Sequence, residues 1–274
     1  MRDLRGKVAV VTGAGSGIGR ALAVALASEG CVLNISDISP TGLEETCAQI
    51  AETGATVDQD ILDVADRQAF YAYADKVIAR HGRVDLVINN AGVALGATVE
   101  ALEYEDFEWL MNINFWGMVY GTKAFLPHLK LVEEANLVNL SSLFGIIAVP
   151  TQSAYNASKF AIRGFTESLS QELYLEKSTV QVSTVIPGGI RTNIARDARI
   201  GGLGVLEQPQ EEVAPKFEKI ALTSPEKAAQ IIIRGIRKDK KRIMVGIDAH
   251  IIDAIQRLLP IKYQYLVAKS MSLA

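Results

Sequence analysis

Cysteine is scarce in this sequence: the 274 residues contain only Cys31 and Cys47. These two residues do not form a Cys-x-x-Cys pair, and two thiols are too few for a disulfide-stapled secreted scaffold. We therefore expect free thiols in a reducing cytoplasm rather than a disulfide, and a cytoplasmic location for the protein.

Excess basic charge, long apolar runs and clustered histidines are also missing. The net charge of −3 gives no basic field that would predict nucleic-acid binding. No apolar run reaches the roughly 18 residues that a membrane span needs, so we expect no membrane association. The histidines, His81, His128 and His250, lie far apart and lack the spacing of metal ligands, so we predict no metal site.

What the sequence does contain is an alternation of short β-branched, apolar segments with longer helical patterns. Such alternation predicts an α/β fold: a single doubly wound, Rossmann-type domain over residues 1–274, with a mainly parallel seven-stranded sheet and helices on both faces. Strands are predicted at residues 8–12, 31–36, 55–61, 84–89, 137–141, 180–186 and 243–246.

Several predicted helices begin at residues that favour a helix N-terminus. Ser39 or Thr41 can cap the second helix, Asp66 can cap the third, and Ser224 can cap a later one. Residues 106–131 are predicted to form one helix between the fourth and fifth strands.

A glycine-rich loop, Thr-Gly-Ala-Gly-Ser-Gly-Ile-Gly at residues 12–19, joins the first strand to a helix over residues 20–30. Glycines allow a ligand to approach the backbone, and the free N–H groups and dipole of a helix N-terminus favour negative charge. A tight turn without a ligand is the alternative interpretation. The strand before the loop and the helix after it are the context that a diphosphate-binding loop requires.

Asp37 ends the second strand, roughly 20 residues beyond this loop. A carboxylate there can accept hydrogen bonds from both ribose hydroxyls of an adenosine and would repel a 2′-phosphate. Neither Ser16 nor Ile38 is a basic residue that could bind such a phosphate. We therefore predict NAD rather than NADP as the cofactor, with a helix cap as the alternative role for Asp37.

Tyr155 and Lys159 are four residues apart in a predicted helix over residues 152–177, so they share one face about one turn apart. A nearby ammonium group stabilises a phenolate and lowers the pKa of the phenol from about 10 toward the working pH. Such a tyrosine can exchange a proton with an alcohol or carbonyl oxygen. An ordinary amphipathic helix, with no chemical role for either residue, is the alternative.

Six segments together resemble the short-chain dehydrogenase/reductase family in their order and spacing. They are the loop at residues 12–19, Asn89-Asn90-Ala91-Gly92, Asn114, Ser142, the pair Tyr155 and Lys159, and Pro187-Gly188. The resemblance implies an oxidoreductase of the Tyr-xxx-Lys type that uses a nicotinamide cofactor.

The resemblance also implies a role for each catalytic residue. Tyr155 is the general acid or base, Lys159 tunes its pKa and binds the nicotinamide ribose, and Ser142 hydrogen-bonds the substrate oxygen. Asn114, a poor residue for the middle of a helix, would hold a water that links Lys159 to solvent. The predicted cofactor contacts are Gly13, Ser16, Gly17, Ile18, Gly19, Asp37, Asp63, Val64, Asn90, Ala91, Gly92, Tyr155, Lys159, Pro187, Gly188, Ile190 and Thr192.

These features predict hydride transfer between NAD(H) and a secondary alcohol or ketone. Apolar residues near Ser142 favour a hydrophobic substrate. They are Leu143, Phe144, Ile146, Ile147, Ala148 and Val149, with Leu203, Val205 and Leu206 further along the chain. A non-catalytic dinucleotide sensor or scaffold is the alternative, but the intact set of Ser142, Tyr155 and Lys159 favours the enzyme.

Two later segments are predicted to surround the substrate. Residues 189–222 are irregular and predict a lid, with a passive surface loop as the alternative. Residues 248–270 carry apolar side chains with a helical period, which predicts an extension that covers the pocket or a subunit contact rather than a membrane surface. The resemblance implies a homo-oligomer, a tetramer or a dimer, that pairs the helices around Asn114 and Tyr155.

Overall fold

The computed structural model describes residues 1–202 and 221–272. Its central sheet is parallel and has seven strands, which confirms the predicted architecture. These strands are β1 (Val8–Thr12), β2 (Val32–Asp37), β3 (Val57–Ile61), β4 (Leu86–Asn89), β6 (Ala135–Leu140), β7 (Val180–Pro187) and β9 (Arg242–Val245). A second, two-stranded parallel sheet pairs β5 (Leu95–Gly96) with β8 (Arg199–Ile200).

Helices cover both faces of the main sheet. They are α1 (Gly17–Ser28), α2 (Pro40–Ala51), α3 (Arg67–His81), α4 (Tyr104–Met111), α5 (Gly117–Leu129), α6 (Ser153–Leu175), α7 (Pro225–Arg237), α8 (Ile247–Leu258) and α9 (Tyr263–Ser272). All five residues of β1 are buried, and alternate ones face opposite sides. Ala9 and Val11 join the core beneath α1 and α7, whereas Val10 joins the core beneath α3 and α5.

The strand order of the main sheet is β3-β2-β1-β4-β6-β7-β9. This order indicates where the sheet can bind a ligand. The chain moves outward from β1 through β2 to β3, and it then returns to β4 on the other side of β1. This reversal opens a crevice at the carboxyl ends of β1 and β4, which is where open α/β sheets bind their ligands.

Three predicted helix caps are confirmed. The Ser39 hydroxyl accepts a hydrogen bond from a backbone N–H in the first turn of α2. The Asp66 carboxylate accepts two such bonds in α3, and the Ser224 hydroxyl accepts one in α7. Each cap satisfies helix N–H groups that have no partner within the helix.

The helix predicted over residues 106–131 is continuous over residues 104–129 and contains a π-helical turn. A π-helical turn at Asn112–Trp116 separates α4 from α5, and the N–H of Gly117 donates to the carbonyl oxygen of Asn112, five residues earlier. Asn114 lies in this turn and is 1% exposed. The predicted helical segment is confirmed, and the π-helical turn within it is a feature that the sequence pattern did not indicate.

The C-terminal helices fold back onto the segment that follows β6. Ile252 and Ile255 of α8 and Tyr263 of α9 join an apolar cluster there. The other buried members of this cluster are Leu143, Ile146, Ile147 and Ile186. Ile251 and Leu258, from the same predicted apolar stripe, are 53% and 79% exposed. Part of the apolar surface of this extension therefore faces outward.

Two further findings concern the described part of the chain alone. None of its helices is both long enough and apolar enough to cross a membrane. It also contains no group of three or more His, Cys, Asp or Glu side chains that could hold a metal ion. Cys31 and Cys47 are free thiols.

Candidate active site

The glycine-rich loop joins the carboxyl end of β1 to the N-terminus of α1. Gly13 and Gly17 have positive φ angles of 65° and 52°, which glycine adopts without a steric penalty. Ser16 precedes α1, but its side chain makes no capping hydrogen bond, so the first N–H groups of the helix have no acceptor from that residue. These groups can bind the diphosphate of a dinucleotide.

The loops that follow β1 and β4 pack closely in the crevice. A Cβ atom at Gly19 would lie 2.0 Å from the carbonyl oxygen of Gly13, and one at Gly13 would lie 2.6 Å from the Cα of Ala91. The Asn90 side chain donates to the carbonyl oxygens of Thr12 and Gly13 at 2.9 and 3.0 Å. Only glycine fits at these two positions, and the resulting groove exposes backbone to a bound diphosphate.

Asp37 lies at the end of β2, directly beside the glycine-rich loop. Its Oδ2 accepts a hydrogen bond from the N–H of Gly15 at 2.8 Å, and its Oδ1 accepts one from the N–H of Ser39 at 2.9 Å. Each carboxylate oxygen has a second lone pair, and the side chain is partly exposed. The carboxylate can therefore still accept hydrogen bonds from ribose hydroxyls.

Arg20 is a residue of this region that the sequence reasoning missed. Its guanidinium donates to the carbonyl oxygens of Gly15 and Gly42 and forms an ion pair with Glu45 at 2.7 Å. Arg20 thereby fastens the start of α2 to the glycine-rich loop. Its position directly after the last glycine of the loop is the signal that could have indicated this role.

Asp63 and Val64 follow β3 at the same edge of the sheet. The Asp63 carboxylate accepts a hydrogen bond from the N–H of Ala65 at 2.9 Å. Val64 is buried and packs against Gly117, where a Cβ atom would lie 2.8 Å from its methyl carbon. A contact of either residue with the cofactor stays a prediction.

Tyr155 and Lys159 lie on one face of α6, where Lys159 is buried and Tyr155 is partly exposed. The Nζ of Lys159 is 5.4 Å from the centroid of the Tyr155 ring, and it donates a hydrogen bond to the carbonyl oxygen of Leu140 at 3.2 Å. The ring of Phe144 packs edge-on against Tyr155, with centroids 6.0 Å apart. The structure thus brings the ammonium close to the Tyr155 ring in one site.

Ser142 follows β6 and faces the same site. Its hydroxyl accepts a hydrogen bond from the N–H of Phe144 at 3.1 Å, and it lies near enough to the Tyr155 phenol to lower the pKa of that phenol. The adjacent Ser141 has a different contact: its hydroxyl donates to the backbone oxygen of Lys159 at 2.8 Å. Of this serine pair, Ser142 is therefore the one that can contact a substrate oxygen next to Tyr155.

Asn114 reaches the site from the π-helical turn. Its Oδ1 accepts a hydrogen bond from the N–H of Val93 at 2.8 Å, and its Nδ2 donates to the carbonyl oxygen of Val93 at 3.0 Å and to the Ser158 hydroxyl at 3.2 Å. A Cβ atom at Gly92 would lie 3.2 Å from this Oδ1 and 3.5 Å from the Nζ of Lys159. The side chain of Asn114 thus holds Gly92 and Val93 beside the ammonium, while its water-holding role stays a prediction.

Burial is the largest influence on the pKa values of Tyr155 and Lys159. It raises the pKa of the Tyr155 phenol to about 12, although the nearby Ser142 hydroxyl acts in the opposite direction. It lowers the pKa of the Lys159 ammonium to about 8. The predicted lowering of the Tyr155 pKa is therefore wrong in direction, because the phenolate would lose its hydration while the ammonium is bonded to Leu140.

The loop that follows β7 reaches back to the glycine-rich loop. Ile190 pairs with Thr223 in an isolated β-bridge. The methyl carbon of Thr192 lies 3.1 Å from the position of a Cβ atom at Gly17. Pro187–Thr192 therefore spans from the end of β7 to the N-terminus of α1, along one side of the crevice.

The apolar residues that follow Ser142 are divided between the core and the surface. Leu143, Ile146 and Ile147 are buried against the C-terminal helices, so their side chains are less available to a substrate than predicted. Phe144 and Val149 are partly exposed, and Ala148 is exposed. Most of the predicted lid, with Leu203, Val205 and Leu206, lies outside the described residues, so the lid over residues 189–222 and the extent of the domain over residues 1–274 stay predictions.

Comparison with known proteins identifies proteins of similar sequence and structure. The short-chain dehydrogenase family profile matches residues 7–201. SadH of Mycobacterium tuberculosis, a putative oxidoreductase, is 47% identical over 269 residues, which are 98% of this chain and 96% of SadH.

Solved structures are similar over nearly the whole chain. A short-chain dehydrogenase/reductase from Burkholderia phymatum in complex with NAD has a TM-score of 0.84 and 29% identity, and the match covers 98% of this chain and 97% of that one. An alcohol dehydrogenase from the archaeon Thermococcus sibiricus, complexed with 5-hydroxy-NADP, has a TM-score of 0.73 and 27% identity, over 87% of this chain and 95% of that one.

Proposed function

Because this chain belongs to the short-chain dehydrogenase family of nicotinamide-dependent oxidoreductases, we propose that it transfers hydride between NAD(H) and a hydrophobic secondary alcohol or its ketone. The observation that carries the proposal is the position of the Lys159 ammonium 5.4 Å from the centroid of the Tyr155 ring, beside a backbone groove suited to a diphosphate. A sensor without chemistry would have no need to bury a lysine at this cost in hydration.

Tyr155 exchanges the proton in this proposal. Its raised pKa keeps the phenol protonated at neutral pH, which is the state that donates a proton to a carbonyl oxygen during reduction. In oxidation the phenol must first lose its proton, and the Lys159 ammonium, charged below about pH 8, can stabilise the phenolate when it turns from Leu140 toward the phenol. The nicotinamide supplies or accepts the hydride when it is bound.

Ser142 and Asn114 arrange the surroundings of this proton transfer. The Ser142 hydroxyl, which lies near the phenol, can donate to the substrate oxygen and stabilise charge that develops there. Asn114 keeps the backbone at Gly92 close to Lys159, where a larger residue would separate the two groups. Lys159 also binds the nicotinamide ribose in this proposal.

The preference for NAD over NADP is supported by Asp37. Its carboxylate borders the glycine-rich loop and would repel a 2′-phosphate, whereas two ribose hydroxyls can donate to it. Arg20, which donates to the carbonyl oxygen of Gly15 in this loop, is already paired with Glu45. We expect NADH to raise the unfolding temperature more than NADPH does at equal concentration. A larger shift with NADPH would overturn this assignment.

A hydrophobic substrate is supported by the residues around Ser142. Phe144 packs against Tyr155 and is partly exposed, Ala148 and Val149 add exposed or partly exposed apolar surface on the same segment, and a substrate hydroxyl buried there without a partner would cost free energy. We expect faster turnover with secondary alcohols that carry a large apolar group than with polyols of similar size. Preferred turnover of a polyol would contradict this substrate class.

Tyr155→Phe tests the proposed chemistry. The variant should bind NADH like the wild type and lose at least ~100-fold in turnover, because the proton donor is removed while the ring remains. Tyr174→Phe is the matched control, since Tyr174 lies on the same helix and is 76% exposed. Near-normal turnover of Tyr155→Phe would remove Tyr155 from the proton step. A wild type that binds NADH but turns over no alcohol on a broad panel would favour the sensor.

We also propose that the protein forms a homo-oligomer, either a dimer or a tetramer. Trp116 and Phe160 lie on the helices around Asn114 and Tyr155, and they are 44% and 40% exposed. Such aromatic surface on adjacent helices is typical of subunit contacts. Light scattering that shows a monomer at assay concentration would contradict this part.

A further inference from the structure

The first turn of α8 places a carboxylate against the loop that follows β7. The Oδ2 of Asp248 accepts a hydrogen bond from the N–H of Gly189 at 2.6 Å. A Cβ atom at Gly188 would lie 2.1 Å from this oxygen, and one at Gly246 would lie 2.3 Å from the Oδ1. The two glycines thus leave the space that the Asp248 carboxylate fills.

The same loop is held by backbone contacts on either side. The N–H of Gly188 donates to the carbonyl oxygen of Val245 at 2.9 Å, and the N–H of Arg191 donates to that of Thr223 at 2.9 Å. The N–H of Thr223 donates to the carbonyl oxygen of Gly189 at 3.3 Å. These contacts join backbone groups, whereas the bond to Asp248 depends on a side chain and can be removed by substitution.

We propose that Asp248 is a positioning residue for the nicotinamide end of the cofactor, because its carboxylate anchors the Gly188-Gly189 pair in the loop Pro187–Thr192. The proposal rests on the proposed function, in which this loop borders the nicotinamide. It also gives the C-terminal extension a part in the reaction, since Asp248 belongs to α8 and not to the sheet.

Conformational entropy explains why such an anchor matters. Glycine loses more backbone freedom on ordering than any other residue, and this loop has two in succession. With the anchor in place, the loop is ordered before the cofactor arrives. Without it, the cofactor must order the loop as it binds, and part of the binding free energy is lost.

A matched set of substitutions tests the proposal. Asp248→Leu keeps the branched shape but offers no acceptor, and we expect NADH to bind about tenfold more weakly, as for the loss of one charge-assisted hydrogen bond. Asp248→Asn keeps an acceptor oxygen and should recover most of the affinity. Asp253→Leu, the same change on the same helix, removes ion pairs with Arg242 and Arg257 but no described contact with the loop, and it should bind NADH like the wild type.

The values of KM and kcat distinguish a positioning role of Asp248 from a general loss of stability. We expect Asp248→Leu to raise the KM for NADH and to lower kcat, whereas Asp253→Leu should change thermal stability with little effect on either constant. Equal NADH affinity in Asp248→Leu and the wild type, or equal losses in the Asp248 and Asp253 variants, would overturn the proposal.

Hydrogen exchange on the unsubstituted protein provides a test that needs no variant. We expect the amide of Gly189 to be protected as strongly as that of Gly188, whose acceptor is a backbone oxygen. Free exchange at Gly189 would show that Asp248 does not hold the loop, whatever the protein catalyses. Failure of the wild type to bind NADH or NADPH would instead contradict the proposed function and leave the exchange result to decide the role of Asp248.

Discussion

Asn114→Ala should destabilise this protein although the substitution favours a helix. The asparagine is 1% exposed, and its side chain makes three hydrogen bonds, two with the backbone of Val93 and one with the Ser158 hydroxyl. Alanine removes all three. The Val93 backbone then loses the partner that fixes it beside the reaction site.

The size of the effect follows from these contacts. An intramolecular hydrogen bond contributes about 1 kcal/mol net, so three bonds contribute about 3 kcal/mol. Alanine favours a helix more than asparagine does, which offsets this loss of stability by about 0.7 kcal/mol at most. The expected loss is therefore about 2 kcal/mol, which corresponds to a decrease of about 6 °C in the unfolding temperature of a protein of this size.

Thermal and denaturant unfolding measure this loss, and Asn112→Ala is the control. Asn112 belongs to the same π-helical turn but is exposed, so its substitution should change the stability by less than about 0.5 kcal/mol. Asn114→Ala should also lower turnover, because Gly92 and Lys159 lose their fixed separation. Equal stabilities of the two variants would refute the reasoning, and so would an Asn114→Ala protein as stable as the wild type.

Two further predictions concern the cofactor groove and the buried lysine. Gly19→Ala should weaken NADH binding by at least ~10-fold, because its Cβ atom would lie 2.0 Å from the carbonyl oxygen of Gly13. Gly164→Ala is its control, since that Cβ atom would meet nothing within 4 Å, and equal affinities in titrations would contradict the prediction. Between about pH 8 and pH 10.5, the unfolded chain keeps the Lys159 proton that the folded protein has released, so stability should rise with pH. In the Lys159→Met variant, the free energy of unfolding measured with denaturant should not rise over this pH range. Parallel pH profiles of the variant and the wild type would contradict the prediction. The raised pKa of Tyr155 acts oppositely, with stability falling between about pH 10 and pH 12.

Much of the fold could be predicted because its signals are local. The run of buried residues in β1 and the alternation of strands with helices lie within short windows of sequence. The caps at Ser39, Asp66 and Ser224 act on N–H groups two or three residues away. For the same reason, the four-residue spacing of Tyr155 and Lys159 was sufficient to place both on one face of α6.

Other features depend on residues far apart in the sequence. The partner of Asn114 is Val93, 21 residues away, and nothing in the sequence around either residue indicates the other. The two-stranded sheet joins Leu95–Gly96 to Arg199–Ile200, and strands of two residues are too short for a period to show. The direction of the Tyr155 pKa shift depends on burial, which follows from packing rather than from spacing.

The sequence by itself determined the seven strands of the main sheet, the helices, three caps and the glycine-rich loop, and it placed Tyr155 and Lys159 on one helix face, because these features depend on the preferences of neighbouring residues. Only the tertiary structure decided how those residues are held. It turned the Lys159 ammonium toward Leu140, packed the C-terminal helices behind Ser142, and brought Asp248 to Gly189 across 59 residues. Such contacts form when distant segments share one closely packed interior, where burial and steric fit select the partners.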